Sequence, residues 1–330
     1  MVQLITKPLL KVNITYICYS ATLKLKYHTG PTPALLVVVL DTNPHAWALL
    51  APTLPLSKAI ANILVFINAH LAVNNANQVA VVASHSHRAV WLYPRPPSNS
   101  TSTSEDVEMS DATAVKLDNA NKYRPFALIE DSLLTSLREL IATTTEADIS
   151  TTSTTQMAGA LTLALSYINK ATINYSGVTS DSKPAPTGLE NTETPTGLQS
   201  RIFVVSVSGD LAHQYIPIMN TTFAAQRLRI PIDILKLAGD TVFLQQASDA
   251  TKGIYMQLRS PQGLLQYLMM AFLPDQTSRK LLVAPTQEVV DFRAACFCHR
   301  KVVDVGYVCS ICLSSKSSRF GPSAILLSGD

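Results

Sequence analysis

Hydrophobic and polar positions alternate between two regimes along this chain. Between Pro33 and Asp41 stands ALLVVVL, a short continuous apolar run rich in valine. Such a run predicts a strand buried on both faces, as in a parallel sheet. LSKAIANILVFINAHLAV (56–73) follows with apolar residues at helical spacing through Ile60, Ile63, Leu64, Ile67 and Leu71. QVAVVAS (78–84) and RAVWLY (88–93) read as two further strands, then 127–142 and 158–172 as helices. The alternation resumes with strand 201–208, helix 213–229, strand 231–238, helix 241–251, strand 253–258 and helix 260–274. Strands and helices in this order predict a doubly wound, mostly parallel α/β sheet with helices on both faces.

Two stretches break the pattern. Residues 94–122 hold Pro94, Pro96 and Pro97 and then a polar, acidic Ser/Thr-rich run; residues 174–200 are rich in Pro, Thr and Ser. Both are read as polar surface insertions, the first a possible phosphorylation segment. The expected organisation is an N-terminal extension (1–30), the α/β domain (31–275), a linker with a cysteine-bearing module (276–313) and a tail (314–330).

Composition narrows the function classes. Apolar residues make up 47% of the 330 residues and charged ones 15%, against roughly 25% charged in an average soluble domain. That shortage suggests surface covered by a partner. The net charge of +3 comes without a Lys/Arg patch, so direct nucleic-acid binding is not indicated. No apolar run of about 18 residues is seen that would span a membrane, and the N-terminus is a poor secretory signal. With twelve glycines in the chain there is no dinucleotide fingerprint, phosphate loop or nucleophile elbow. Cys18 reads as an inert buried thiol.

Three places carry candidate chemistry. Asp41, Asn43 and His45 lie at the carboxyl end of the first core strand, where doubly wound sheets bind ligands. They occupy the positions of the Asp-x-Ser-x-Ser cation motif of von Willebrand A-type domains. Histidine is a poor magnesium ligand and Pro44 stiffens the loop, so the motif is read as degenerate and empty, and magnesium as absent. Asp210 is a second carboxylate at that rim or a helix N-cap. His85 and His87 are a candidate metal pair or two ordinary loop histidines. The third place is CFCHRKVVDVGYVCSIC (296–312). Cys309-x-x-Cys312 has the spacing of half a tetrahedral zinc site, and Cys296, Cys298 and His299 offer the rest, four ligands at most at once. Clustered cysteines at this spacing point to metal before disulfides.

PALLVVVLDTNPHAW, FAAQRLRIPIDILKL, LQQASDATKGIYMQL, LLQYLMMAFLPDQ and above all DFRAACFCHRKVVDVGYVCSICLS resemble the smaller von Willebrand A-type, C4 zinc-finger subunit of TFIIH, the general transcription and nucleotide excision repair factor. The likeness covers roughly 33–313 outside the insertions. It implies a von Willebrand A fold with a zinc module and a nuclear scaffold without enzymatic activity. It also implies pairing with the larger von Willebrand A/zinc subunit of the TFIIH core. Members carry further cysteines downstream, whereas this chain continues SSKSSRFGPSAILLSGD; a short zinc-module remnant is therefore expected. The divergent ends are expected to reflect a mispredicted gene boundary or an alternative transcript. Two rival readings are a metal-dependent ligand-binding von Willebrand A domain and a metal enzyme built on His85 and His87.

Overall fold

The computed structural model describes residues 32–95, 123–151, 154–180, 197–209, 211–279, 281–282, 290–296, 299, 302–308 and 315–316. The chain divides into Met1–Thr32 and Pro33–Asp330, and the fold described here belongs to the second unit. The N-terminal extension, the segment 96–122, Asp210 and most of the C-terminal tail lie outside the described residues.

The valine-rich run forms β1 (Ala34–Asp41) at the centre of a six-stranded sheet. β2 (Gln78–Ser84) and β4 (Gln199–Ser206) flank it in parallel, with Val37 opposite Ala80 on one side and Ile202 on the other. β5 (Ile232–Lys236) and β6 (Tyr255–Gln257) continue in parallel. β3 (Ala89–Tyr93) closes the other edge antiparallel, giving the order β3-β2-β1-β4-β5-β6.

Alternate β1 residues point to opposite faces, and both faces are covered. Leu36, Val38 and Leu40 pack with α2 (Leu56–Val73), α3 (Arg124–Ala142) and the segment 264–272. Leu35, Val37 and Val39 pack with α5 (Met157–Ser180), α6 (Tyr215–Arg227) and α7 (Val242–Ala250). Each fully buried Leu or Val contributes about 1.5–3 kcal/mol. A strand apolar on both faces gains no register from polarity, because a one-residue slip exchanges one apolar set for another. Here the register is held at the ends. The Asn77 side chain accepts the Ala34 N–H at 2.9 Å, and Asp41 is clasped at the other end.

Four details depart from the sequence reading. A helix, α1 (Pro44–Leu50), follows β1 directly. The short α4 (Glu146–Thr151) lies before α5, and α5 runs through Ser180, into the expected second insertion; β4 begins at Gln199. The expected helix 260–274 is three pieces, a 3-10 turn (Pro261–Gly263), the α-helical α8 (Leu264–Tyr267) and a π turn (Leu268–Phe272). Arg201 explains that helix's end: its Nη1 captures the carbonyls of Phe272 and Pro274 at 2.7 and 3.1 Å, holding the wide turn against the sheet. Finally, α2 does reach 18 residues with a mean hydropathy of 1.6, long and apolar enough to cross a membrane. Its Ile60, Ile63, Leu64, Phe66 and Ile67 are instead packed in the core on the sheet.

β7 (Ala294–Ala295) and β8 (Val302–Val303) pair antiparallel, as do β9 (Tyr307–Val308) and β10 (Ser315–Lys316). Ala295 belongs to the α5–α7 core and Val302 packs against it, so the cysteine-bearing segment starts on the domain itself. Two adjacent glutamines of α7 hold its approach. Gln246 donates to the carbonyls of Asp291 and Arg293 at 2.7 and 3.0 Å, and the Gln245 side chain accepts the Asp291 N–H at 3.2 Å.

Candidate functional site

The carboxyl ends of β1, β2, β4 and β5 form a polar rim. Asp41, at 0% exposure, uses one carboxylate oxygen to accept the Val207 and Ser208 N–H groups at 3.0 and 2.7 Å. Its other oxygen accepts the Asn43 N–H at 3.1 Å, and its carbonyl accepts the Trp47 indole N–H at 2.7 Å. Asn43 is the N-cap of α1: its side-chain oxygen accepts the His45 N–H at 3.2 Å, with Pro44 in the first helical turn. Asn-Pro is a recognisable helix start, the sequence signal for α1. The Asn43 amide donates to Ser208 Oγ at 3.0 Å, and the His45 ring nitrogen Nε2 meets the Ile149 carbonyl at 3.1 Å. The three residues at the cation-motif positions thus face protein partners.

Lys236 belongs to this rim and was not singled out from the sequence. It ends β5 at 0% exposure. Its ammonium donates to Ser206 Oγ at 3.0 Å and to the Ser208 carbonyl. A lysine following Ile234 and Leu235 inside the otherwise mostly apolar stretch IDILKLA was the available signal. Burial pulls its pKa down to about 8, while Asp41 and Asp240 raise it.

His85 sits beside Asp41 rather than in an open metal pocket. Its Nδ1 lies 3.0 Å from Thr42 Oγ1 and its Nε2 3.1 Å from Thr144 Oγ1. His87 approaches it edge-on, ring centroids 5.4 Å apart. Burial first, and then the neighbouring His87, lower the His85 pKa, favouring the neutral ring. Thr155 ties the rim to α5: its hydroxyl donates to the Ser84 carbonyl at 2.9 Å, and Gln214 donates to its carbonyl at 2.5 Å. Gln214 also accepts the Ala158 N–H at 3.0 Å. Most of the side chains named here engage one another, whereas beside them the buried Ser86 Oγ and His87 Nδ1 have no hydrogen-bond partner among the described residues.

Of the five zinc candidates, Cys296 and His299 are described; Cys298, Cys309 and Cys312 lie outside the described residues. Cys296 is buried, with its Sγ 3.5 Å from His299 Nδ1. Two ligands of one tetrahedral zinc, with bonds of about 2.3 Å to sulfur and about 2.05 Å to nitrogen, stand about 3.6 Å apart. The pair therefore fits one edge of such a site. Among the described residues no group of three potential ligands comes together.

The sheet order, the antiparallel edge and the rim at the strand ends define the class: a doubly wound α/β domain of the von Willebrand A type. The family model of transcription factor Tfb4 matches residues 33–321, and the chain belongs to the Tfb4 family. It is 43% identical over 295 residues to the general transcription and DNA repair factor IIH subunit tfb4 of Schizosaccharomyces pombe, covering 89% of this chain and 88% of the relative. To TFB4 of Saccharomyces cerevisiae the identity is 34% over 298 residues, covering 87% and 82%. The crystal structure of the TFIIH p34 N-terminal domain aligns with a TM-score of 0.57 and 48% identity, covering 73% of this chain and 98% of that one.

Proposed function

We propose that this chain is a non-catalytic scaffold subunit of the TFIIH core, working in the nucleus in RNA polymerase II transcription initiation and nucleotide excision repair. Relatives named as subunits of that factor are matched over most of their length. The observation that supports the scaffold reading is the engagement of the motif residues: Asp41, Asn43, His45 and His85 are each held by protein groups.

The partner under this reading is the larger von Willebrand A/zinc subunit. The outward side of α6 supplies an apolar surface for it, with Ile216 and Phe223, seven residues apart on one side, exposed by 43% and 58%. Apolar faces of this kind suit durable interfaces. The C-terminal module holds a structural zinc through Cys296 and His299, completed by Cys309 and Cys312, with Cys298 as the alternative thiolate. Zinc would fix the fold of that segment and supply no chemistry to a substrate. Magnesium has no part.

Co-expression with the larger subunit tests the proposal. A stoichiometric complex that survives gel filtration, with zinc counted by elemental analysis, is the expected result. Failure of the two chains to associate contradicts it. A complex whose zinc content is accounted for by the partner alone removes the zinc assignment and leaves the scaffold reading standing.

A further inference from the structure

We infer that the Lys236 ammonium is the resident cation of the strand-end rim, a fixed charge that takes the part of a divalent ion and makes the rim independent of metal. A carboxylate removed from water needs compensating charge as well as hydrogen bonds. Asp41 is such a group, at 0% exposure, with its oxygens held by three backbone N–H groups. Lys236, equally buried, reaches the same residue, Ser208, through the following peptide. Ser208 gives its N–H to Asp41 at 2.7 Å and its carbonyl to the Lys236 ammonium, and its hydroxyl accepts from Asn43 at 3.0 Å. One serine thus joins the ends of β1, β4 and β5, between an anion and a cation.

The other titratable groups at the rim do not replace this charge. His85 feels Asp41, but burial favours its neutral form. Asp240, which also acts on Lys236, is engaged by the Thr241 N–H, the Gln245 amide and the Tyr255 hydroxyl. Lys236 remains charged at neutral pH with its pKa near 8. A divalent cation entering here would meet oxygens already turned toward N–H donors and an ammonium of its own sign. This inference concerns the rim alone and stands apart from the assignment to TFIIH.

The test is a double-mutant cycle on the full chain, Lys236→Met, Asp41→Asn and the pair together, read by thermal unfolding with and without millimolar Mg²⁺ or Mn²⁺. The wild-type Tm is expected to be unmoved by either ion. Lys236→Met should lower Tm by about 5–10 °C, since it strands a buried carboxylate. The double variant should lose clearly less than the two single losses combined. A rise in wild-type Tm with Mn²⁺ overturns the inference, and so do strictly additive losses. Should Lys236→Met not accumulate, accumulation of the double variant supports the inference and failure of both overturns it.

Discussion

Arg279→Ala probes how the chain is fastened where it leaves the domain. Asp233, at 0% exposure, receives a two-pronged contact from Arg279 at 2.9 and 2.7 Å and the Ile254 N–H at 3.0 Å. Arg201 stands 3.7 Å from the same carboxylate while donating to the Phe272 and Pro274 carbonyls. Arg279 also donates to the Pro274 carbonyl at 3.1 Å. Truncating it leaves Asp233 with one longer ionic contact. Removing one member of a buried pair costs about 3–5 kcal/mol. Arg201 remains, and the Arg279 side chain is 16% exposed, so water can enter; the expected loss is about 2–3 kcal/mol, or about 5–10 °C in Tm. Urea unfolding followed by circular dichroism measures it. Arg279→Lys, keeping charge but not the planar fork, should lose about 1 kcal/mol. Asp233→Asn with Arg279→Ala should lose less than the sum of the single losses. A loss below about 0.5 kcal/mol for Arg279→Ala would refute the argument that this charge is compensated from the linker side.

His70 has its pKa lowered to about 4, by burial first and then by the charge of Arg201. The unfolded chain takes up this proton near pH 6.5 and the folded chain only near 4. Stability should therefore fall by about 3 kcal/mol as pH drops through that window and level below it; His70→Gln should flatten the slope, and an unchanged slope would contradict the assignment. At Gly253 an added Cβ would lie 1.9 Å from the Ile232 carbonyl oxygen. Gly253→Ala should cost at least about 3 kcal/mol in urea unfolding. Gln246→Ala frees the carbonyls of Asp291 and Arg293 and should speed amide exchange over 291–295 while leaving that of β1 unchanged. Phe223→Glu places a charge on the outward side of α6 and should weaken capture of the larger subunit at least tenfold with no fall in Tm; unaltered capture would move the interface elsewhere.

The sheet was legible because its strands are apolar on both faces, and runs such as ALLVVVL have few other uses in a chain with this many intervening amphipathic helices. The same property hid the details. Continuous apolar strands carry no alternation that says where pairing begins, and helix ends depend on partners distant in sequence. The end of the 264–272 segment is set by Arg201, 71 positions away from Phe272. α1 was hidden differently: Asp41, Asn43 and His45 were read for their metal chemistry, while Asn43-Pro44 was a helix start in plain view. Lys236 escaped notice because a lysine in a strand is ordinarily an edge or solvent residue; what recovers its charge is Ser208, 28 positions away. For the cysteine cluster, spacing offered five candidates for at most four ligand positions, and two of them, Cys296 and His299, stand at a separation that one ion can span.

The scarcity of charge takes on a different meaning once these positions are known. Asp41 and Lys236 lie inside at the carboxyl ends of the strands, and Arg201 and Asp233 lie inside near the amino ends of β4 and β5. A central strand without polar alternation slips cheaply in apolar terms, but a slip here would tear Asp41 from the Val207 and Ser208 N–H groups. Buried charge thus supplies the register that the hydrophobic pattern withholds, at a desolvation cost that only complete pairing offsets. These buried charges do nothing for the exterior, where Leu49, Phe223, Met270 and Phe292 are 86%, 58%, 77% and 71% exposed. Under the scaffold reading proposed above, a domain with locked strand ends and exposed apolar side chains such as Phe223 and Met270 is held by neighbours along its sides.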